Sequence, residues 1–230
     1  MIKSTLVSLL FFVFSATFVA AQRGTDNKKA AAKENDLKSV TIGSQTWASQ
    51  NLNVSFFRNG DVILQAKTIE EWKNALEEGK PAWCYYEFQE SNGLIYGKFY
   101  NWYAVHDPRG LAPKGWHIPK IGEWDILINF VGSDRTWDKM VDTSRGWMQG
   151  ISKTSNETGF SVLGGGLCGQ SGFGGIGLET AFWCAANDPS SIQNNSNLLT
   201  IHFGISWGGV GKVYGEEKGG MYVRCVKDQE

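Results

Sequence analysis

From Val40 onward the chain changes from a polar run to short apolar segments separated by turn residues. Val40-Thr41-Ile42, Gly43-Ser44 and Thr46-Trp47 read as a strand, a turn and a second strand. Thr68 to Glu78 predicts a helix: Thr68 caps it, Glu70 and Glu71 suit its first turn, and Ile69, Trp72 and Ala75 fall near helical spacing. Ala82 to Phe88 is aromatic and strand-like, and Ser91-Asn92-Gly93 is a turn signal. The clearest helix is Ile121 to Val131, where Trp124, Leu127, Ile128 and Val131 share one face. Pro119 precedes it and Gly132 follows it. From Gly164 the chain is Gly-rich with short apolar runs, which predicts short strands and loops closing in a final strand over Gly220 to Val226. The order predicts an α+β domain with two helices early and strands late, and no internal repeat.

The N-terminal pattern is different. In residues 1–21, Lys3 gives a positive start, Leu6 to Val19 is largely apolar, and Val19-Ala20-Ala21 supplies small residues for a signal peptidase. This order predicts a cleaved leader and a mature chain from Gln22, secreted or held in the periplasm or at the cell surface. The rival reading is a membrane anchor, but the span is short against the roughly 20 apolar residues a crossing needs, and Ser8, Ser15 and Thr17 interrupt it. No Cys follows it, so a lipid-modified N-terminal cysteine is excluded. No later stretch is apolar enough to span a bilayer, so no integral membrane segment is expected after cleavage. Residues 22–38 are polar and read as a flexible mature N-terminus, with a short exposed helix through Lys28–Lys33 as the alternative. The folded domain is expected over 39–230.

Composition sharpens the picture in two places. Ten Trp and 28 Gly in 230 residues suggest many short elements joined by tight turns over an aromatic core. A net charge of −1 without a basic tract argues against nucleic acid as a partner, since phosphate binding needs a concentrated positive field.

Several stretches resemble the Fibrobacter succinogenes major paralogous domain family. They are Ile42–Trp47 leading to Gln50-Asn51-Leu52, Cys84-Tyr85-Tyr86, Tyr96–Val105, Leu111–Pro119, Asn156–Phe160 and Val223–Asp228. They occur in the family's order over about residues 39–228. The family is similar to C-type-lectin-like domains, and Gly115–Pro119 with Glu123-Trp124 also resembles a signature of the formylglycine-generating enzyme group. The resemblance implies a compact α+β domain whose N- and C-terminal strands pair, with two flanking helices and long loops in the second half. The chain departs from the family at Lys120-Ile121-Gly122, which removes the usual side-chain N-cap, at Leu163–Cys168 and at Trp183-Cys184.

The last two departures each introduce a cysteine. An exported chain tends to oxidise its cysteines, and four allow three pairings. The resemblance implies Cys84–Cys225 for the two cysteines at family positions, and the two coordinated departures, which flank one Gly-rich excursion, suggest Cys168–Cys184; four reduced, buried thiols are the alternative.

No stretch carries a catalytic signature. His106, His117 and His202 form no metal-ligand spacing, and His117 reads as a structural histidine within the family motif. Gly164-x-Gly166-x-x-Gly169 and Gly172-x-Gly174-x-x-Gly177 match a dinucleotide fingerprint, but neither follows a strong strand run or opens a helix. The carboxylate–amide motifs of calcium-dependent lectins are missing, so no metal and no cofactor is expected. Glu87, Glu90, Glu157 and Glu179 are scattered carboxylates that could pair in space. Trp137, Trp147 and Trp207 lie in polar or Gly-rich contexts and are the candidate exposed contacts. The expectation is an exported, non-catalytic binding or surface-associated module for a glycan or a cell-surface protein. An exported enzyme acting on polysaccharide or protein is the alternative. N-terminal sequencing of the protein from its native host is expected to begin at Gln22; intact Met1 in a membrane fraction would contradict the leader.

Overall fold

The computed structural model describes residues 36–185, 198–205, 209–215 and 219–229. The leader, most of the polar segment after it and Trp207 lie outside the described residues. What is described is an α+β fold. A hairpin of β1 (Ser39–Ile42) and β2 (Gln45–Ala48) opens it. Then follow β3 (Leu64–Gln65), α1 (Ile69–Glu77), β4 (Ala82–Cys84), a 3-10 turn over Tyr86–Phe88, and α2 (Glu90–Tyr96). Next come β5 (Phe99–Asn101), α3 (Trp102–Val105), β6 (Trp116–His117), α4 (Ile121–Val131) and α5 (Thr136–Met140). The second half is built of β7 (Gly165–Gly169), β8 (Gly172–Ile176), β9 (Glu179–Trp183), β10 (Leu198–Gly204) and β11 (Gly209–Gly215). It closes with β12 (Gly220–Met221) and β13 (Val226–Lys227).

The small sheet runs β1-β2-β13-β6, so the first and last strands meet through β2, with Val226 opposite Trp47. The large sheet runs β11-β10-β9-β7-β12-β5-β4-β3, with β8 paired to β7. Trp47 on β2 is fully buried and packs against Trp124 of α4 at 4.8 Å between rings and Phe160 at 5.5 Å. A second core gathers Trp83, Tyr100, Trp102 and Trp183 on the other side. Trp183 donates its indole N–H to the Tyr100 carbonyl at 2.8 Å, which satisfies the one polar atom of a buried ring.

The two predicted helices form as their caps dictate. The Thr68 hydroxyl accepts the Glu71 N–H at 3.2 Å, and Trp72, Ala75 and Leu76 face inward. At α4, Lys120 offers no side-chain acceptor, and the Glu123 carboxylate takes the Lys120 N–H instead at 2.9 Å. That is half of a capping box, and it anchors the helix start from inside the first turn. Three further short helices, α2, α3 and α5, add to the two expected ones.

Four expectations are corrected. The strand-like Ala82–Phe88 run is a strand only to Cys84, and a 3-10 turn begins at Tyr86, where Glu87 and Phe88 turn the chain with φ of 50° and 57°. Ser91-Asn92-Gly93 is helix rather than turn: a Cβ on Gly93 would lie 2.2 Å from the Tyr85 ring, so glycine is selected by close packing, not by a bend. The expected final strand over Gly220 to Val226 is two strands in two sheets. Between them the Tyr222 carbonyl accepts the Trp183 N–H at 2.9 Å in the large sheet, while the Val223 and Cys225 carbonyls accept from Leu52 and Ala48 at 2.8 and 2.9 Å on the other side.

The cysteines are the fourth correction. All four are buried and free, and neither Cys168–Cys184 nor Cys84–Cys225 is made. The sheet order explains it. The two-residue β12 lies between β5 and β7, with Gly220 opposite both Asn101 and Cys168, and β5 carries Phe99 opposite Cys84. Gly220 leaves room across that strand, and the Cys84 and Cys168 sulfurs face each other at 3.9 Å. Cys225 belongs to the other core. Burial pushes the Cys184 and Cys225 thiols up to about 12 and that of Cys84 well above the usual range, so these three are protonated.

Candidate functional site

Among the described residues two concave regions stand out. The first is a small polar cleft of about 150 Å³ between the chain after β2, helix α2 and the loop before β7. Asn51 and Arg224 form its floor, Ser49, Gln50 and Asn53 one wall, and Leu94, Ile95 and Arg145 the rim. No Asp or Glu is among the described residues that line it.

The floor is rigid for a stated reason. Arg224 is 1% exposed, and its Nε–H donates to Asn51 Oδ1 at 2.8 Å. Its Nη1 donates to the Ala48 and Phe160 carbonyls at 3.0 and 2.6 Å, and its Nη2 to the Ser161 carbonyl at 3.0 Å. The plane lies over the Phe160 ring at 4.6 Å. Asn51 in turn donates its amide to the Tyr96 carbonyl at 2.8 Å, which fixes its oxygen toward the guanidinium. Burial opposes the charge and pulls the Arg224 pKa down to about 9, which still leaves a cation at neutral pH. The acceptors around it are neutral.

The second region is a wider, mainly apolar cleft of about 480 Å³ walled by Val105, Leu111, Ala112 and Ile118. His117 and Glu123 stand at its edge with Arg58 and Lys120. His117 Nε2 lies 2.7 Å from Glu123 Oε1 and Nδ1 lies 2.8 Å from Asp228 Oδ1. Both ring nitrogens face carboxylates, an arrangement that favours the protonated ring, since only an imidazolium donates through both. The Glu123 hydrogen bond, aided by that of Asp228, outweighs partial burial and raises the His117 pKa. Partial burial opposes ionisation of Glu123, but the His117 and Lys120 hydrogen bonds prevail and hold its carboxyl below the usual range.

Glu123 thus does two things: it starts α4 and it clamps His117, which clamps the chain end at Asp228. A family model, that of the Fibrobacter succinogenes major domain, matches residues 40–227 and so spans both clefts and both sheets.

The chain belongs to the Fibrobacter succinogenes major domain family.

No curated protein and no solved structure matches the chain. The Fibrobacter succinogenes major domain therefore has to be read from its own side chains. Trp137 and Trp147, expected as exposed contacts, are half-buried against each other at 5.0 Å in a T-shaped pair. The Trp147 indole donates to the Val162 carbonyl at 3.1 Å, so its polar edge faces inward. Trp207 lies outside the described residues. Glu157 pairs with Lys139 at 2.9 Å, Glu87 and Glu90 are exposed, and Glu179 is half-buried. His106 and His202 are driven down to about 4 by burial and are neutral. The glycines of the two fingerprint matches make the antiparallel β7–β8 hairpin, where a Cβ on Gly165 would lie 2.5 Å from the Tyr222 hydroxyl. Among the described residues no helix is long and apolar enough to cross a membrane, and no group of three or more His, Cys, Asp or Glu could hold a metal.

The polar cleft was not visible beforehand. Its signal was present: Asn51 directly precedes Leu52 and Arg224 stands between Val223 and Cys225, positions where a buried polar group demands partners.

The His117 clamp generates a pH dependence. A folded pKa raised above the ordinary 6.5 gives stabilisation that is complete below that value and lost as pH rises through the raised one. The ring is 37% exposed, so solvent screening limits the effect to under about 1 kcal/mol. The melting temperature of the unaltered chain should therefore fall between pH 6 and pH 9 by about 2 °C more than that of His117→Asn. Equal slopes for the two chains would show that the clamp contributes nothing.

Proposed function

We propose that the protein is an exported, non-catalytic binding module that holds a polar ligand, a glycan segment, in the cleft floored by Arg224 and Asn51. The observation that carries this reading is the unequal bonding of that cleft. Its floor is locked by the Arg224 network, while the side chains of Ser49, Gln50 and Asn53 on its wall make no hydrogen bond to any described residue. A rigid base with unengaged amides and a hydroxyl is how a preorganised site presents donors and acceptors together. The leader pattern of residues 1–21 supports export. Kinship with C-type-lectin-like domains, on which recognition would fall to loops on a fixed scaffold, belongs to the same reading.

The rival is an exported enzyme acting on polysaccharide or protein. His117 beside Glu123 would be its natural acid–base pair, yet both ring nitrogens are already engaged by carboxylates, at 2.7 Å to Glu123 and 2.8 Å to Asp228, which leaves neither free to exchange a proton with a substrate. The clamp geometry therefore favours a structural role for His117.

A glycan and protein-partner screen on the chain from Gln22 tests the proposal. Saturable glycan binding is expected, weakened at least tenfold by the paired substitution Gln50→Ala and Asn53→Ala at unchanged melting temperature. Binding indifferent to that pair, or steady cleavage of a glycan by the unaltered chain, would overturn it.

A further inference from the structure

We infer that the ligand of the polar cleft is an acidic sugar, whose carboxylate is taken by Arg224 and Arg145 while its hydroxyls meet the amide wall. This rests on the binding reading above and adds the charge of the ligand.

The argument begins with donor arithmetic. A guanidinium carries five N–H groups in a fixed fork. Four of those on Arg224 go to Asn51 and to the carbonyls of Ala48, Phe160 and Ser161. The fifth, on Nη2, has no partner among the described residues, and Arg224 lines the cleft. All four acceptors are neutral oxygens, so the buried charge itself is uncompensated there. An anion that reaches the fifth N–H would supply both the missing hydrogen bond and the missing countercharge, and bonds of that kind are short and strong.

The rim adds a second cation. The Arg145 side chain is 63% exposed, and its nearest carboxylate, Asp142, is 3.7 Å from Nε, too far for a good hydrogen bond. The guanidinium is thus available to swing onto a ligand carboxylate at the cleft mouth. With no acid among the described lining residues, nothing in the cleft repels an anion.

Size and wall chemistry point to a sugar. The cleft of about 150 Å³ equals the volume of about five water molecules. That accommodates a carboxylate and part of one ring through an open mouth. Ser49, Gln50 and Asn53 offer donors and acceptors side by side, which matches vicinal hydroxyls. Leu94 and Ile95, 82% and 46% exposed, stand on the rim where the C–H face of a ring would rest.

Isothermal titration with D-glucuronate, D-glucose, acetate and an acidic dipeptide, each against the full mature chain, tests the inference. Glucuronate is expected to bind at least tenfold more tightly than glucose or acetate, and more weakly as salt rises. Arg145→Gln, an exposed change that spares the fold, should weaken glucuronate about fivefold and leave glucose unchanged. Glucose binding as tightly as glucuronate would overturn the charge assignment while leaving the cleft a glycan site. Acetate or an acidic dipeptide matching glucuronate would overturn the sugar assignment. Binding of none of the four at millimolar concentration would remove both this inference and the glycan reading beneath it.

Discussion

Burying a guanidinium without a carboxylate costs several kcal/mol per ion unless its hydrogen-bonding capacity is met. Arg224 meets that cost by joining three segments distant in sequence: Ala48 and Asn51 at and just after the end of β2, Phe160 and Ser161 before β7, and its own segment between β12 and β13. Its guanidinium carbon lies 4.6 Å from the Phe160 ring and 5.6 Å from the Phe182 ring, both of which belong to the core that Trp47 and Trp124 begin. Its neighbours Val223 and Cys225 belong to the other core. The crossing between β12 and β13 is therefore the place where both sheets, both cores and the cleft floor are fixed together. A lysine could not replace it, since one ammonium on a flexible stem cannot address three segments as a planar fork does.

The two clefts illustrate how the same residue types acquire opposite roles. His117 and Glu123 are chemically capable of proton transfer, but each is saturated by a partner, and their geometry tightens the chain end against α4. In the polar cleft the charged group is saturated almost completely, and the chemistry left over lies in the wall amides and one N–H. Function is thus read from what remains unbonded after the fold has taken its share.

Much of the fold was legible along the chain. Thr68 announced its helix because capping acts within one turn, α4 followed from the face shared by Trp124, Leu127, Ile128 and Val131, and the β1–β2 hairpin followed from local alternation. What was not legible depended on distant packing. Gly93 reads as a turn until the Tyr85 ring claims the space its Cβ would fill. The cysteine pairing inferred from the family pattern failed because strand order, not chain order, decides neighbours: β12 enters between β5 and β7 and brings Cys84 toward Cys168. Trp137 and Trp147 stand in polar stretches but pack their rings against each other, whereas the cleft is made of Asn51 and Arg224, which the family motifs contained without revealing that they meet.

The central claim is that one buried cation organises the domain, and denaturant unfolding of Arg224→Met measures it most directly. Methionine fills much of the volume but leaves three carbonyls and the Asn51 oxygen without their donors. The account predicts a loss of about 3–5 kcal/mol, a large part of the 5–15 kcal/mol typical of a domain. A loss under about 1 kcal/mol, or a gain, would contradict it and show that the two sheets hold together without the guanidinium.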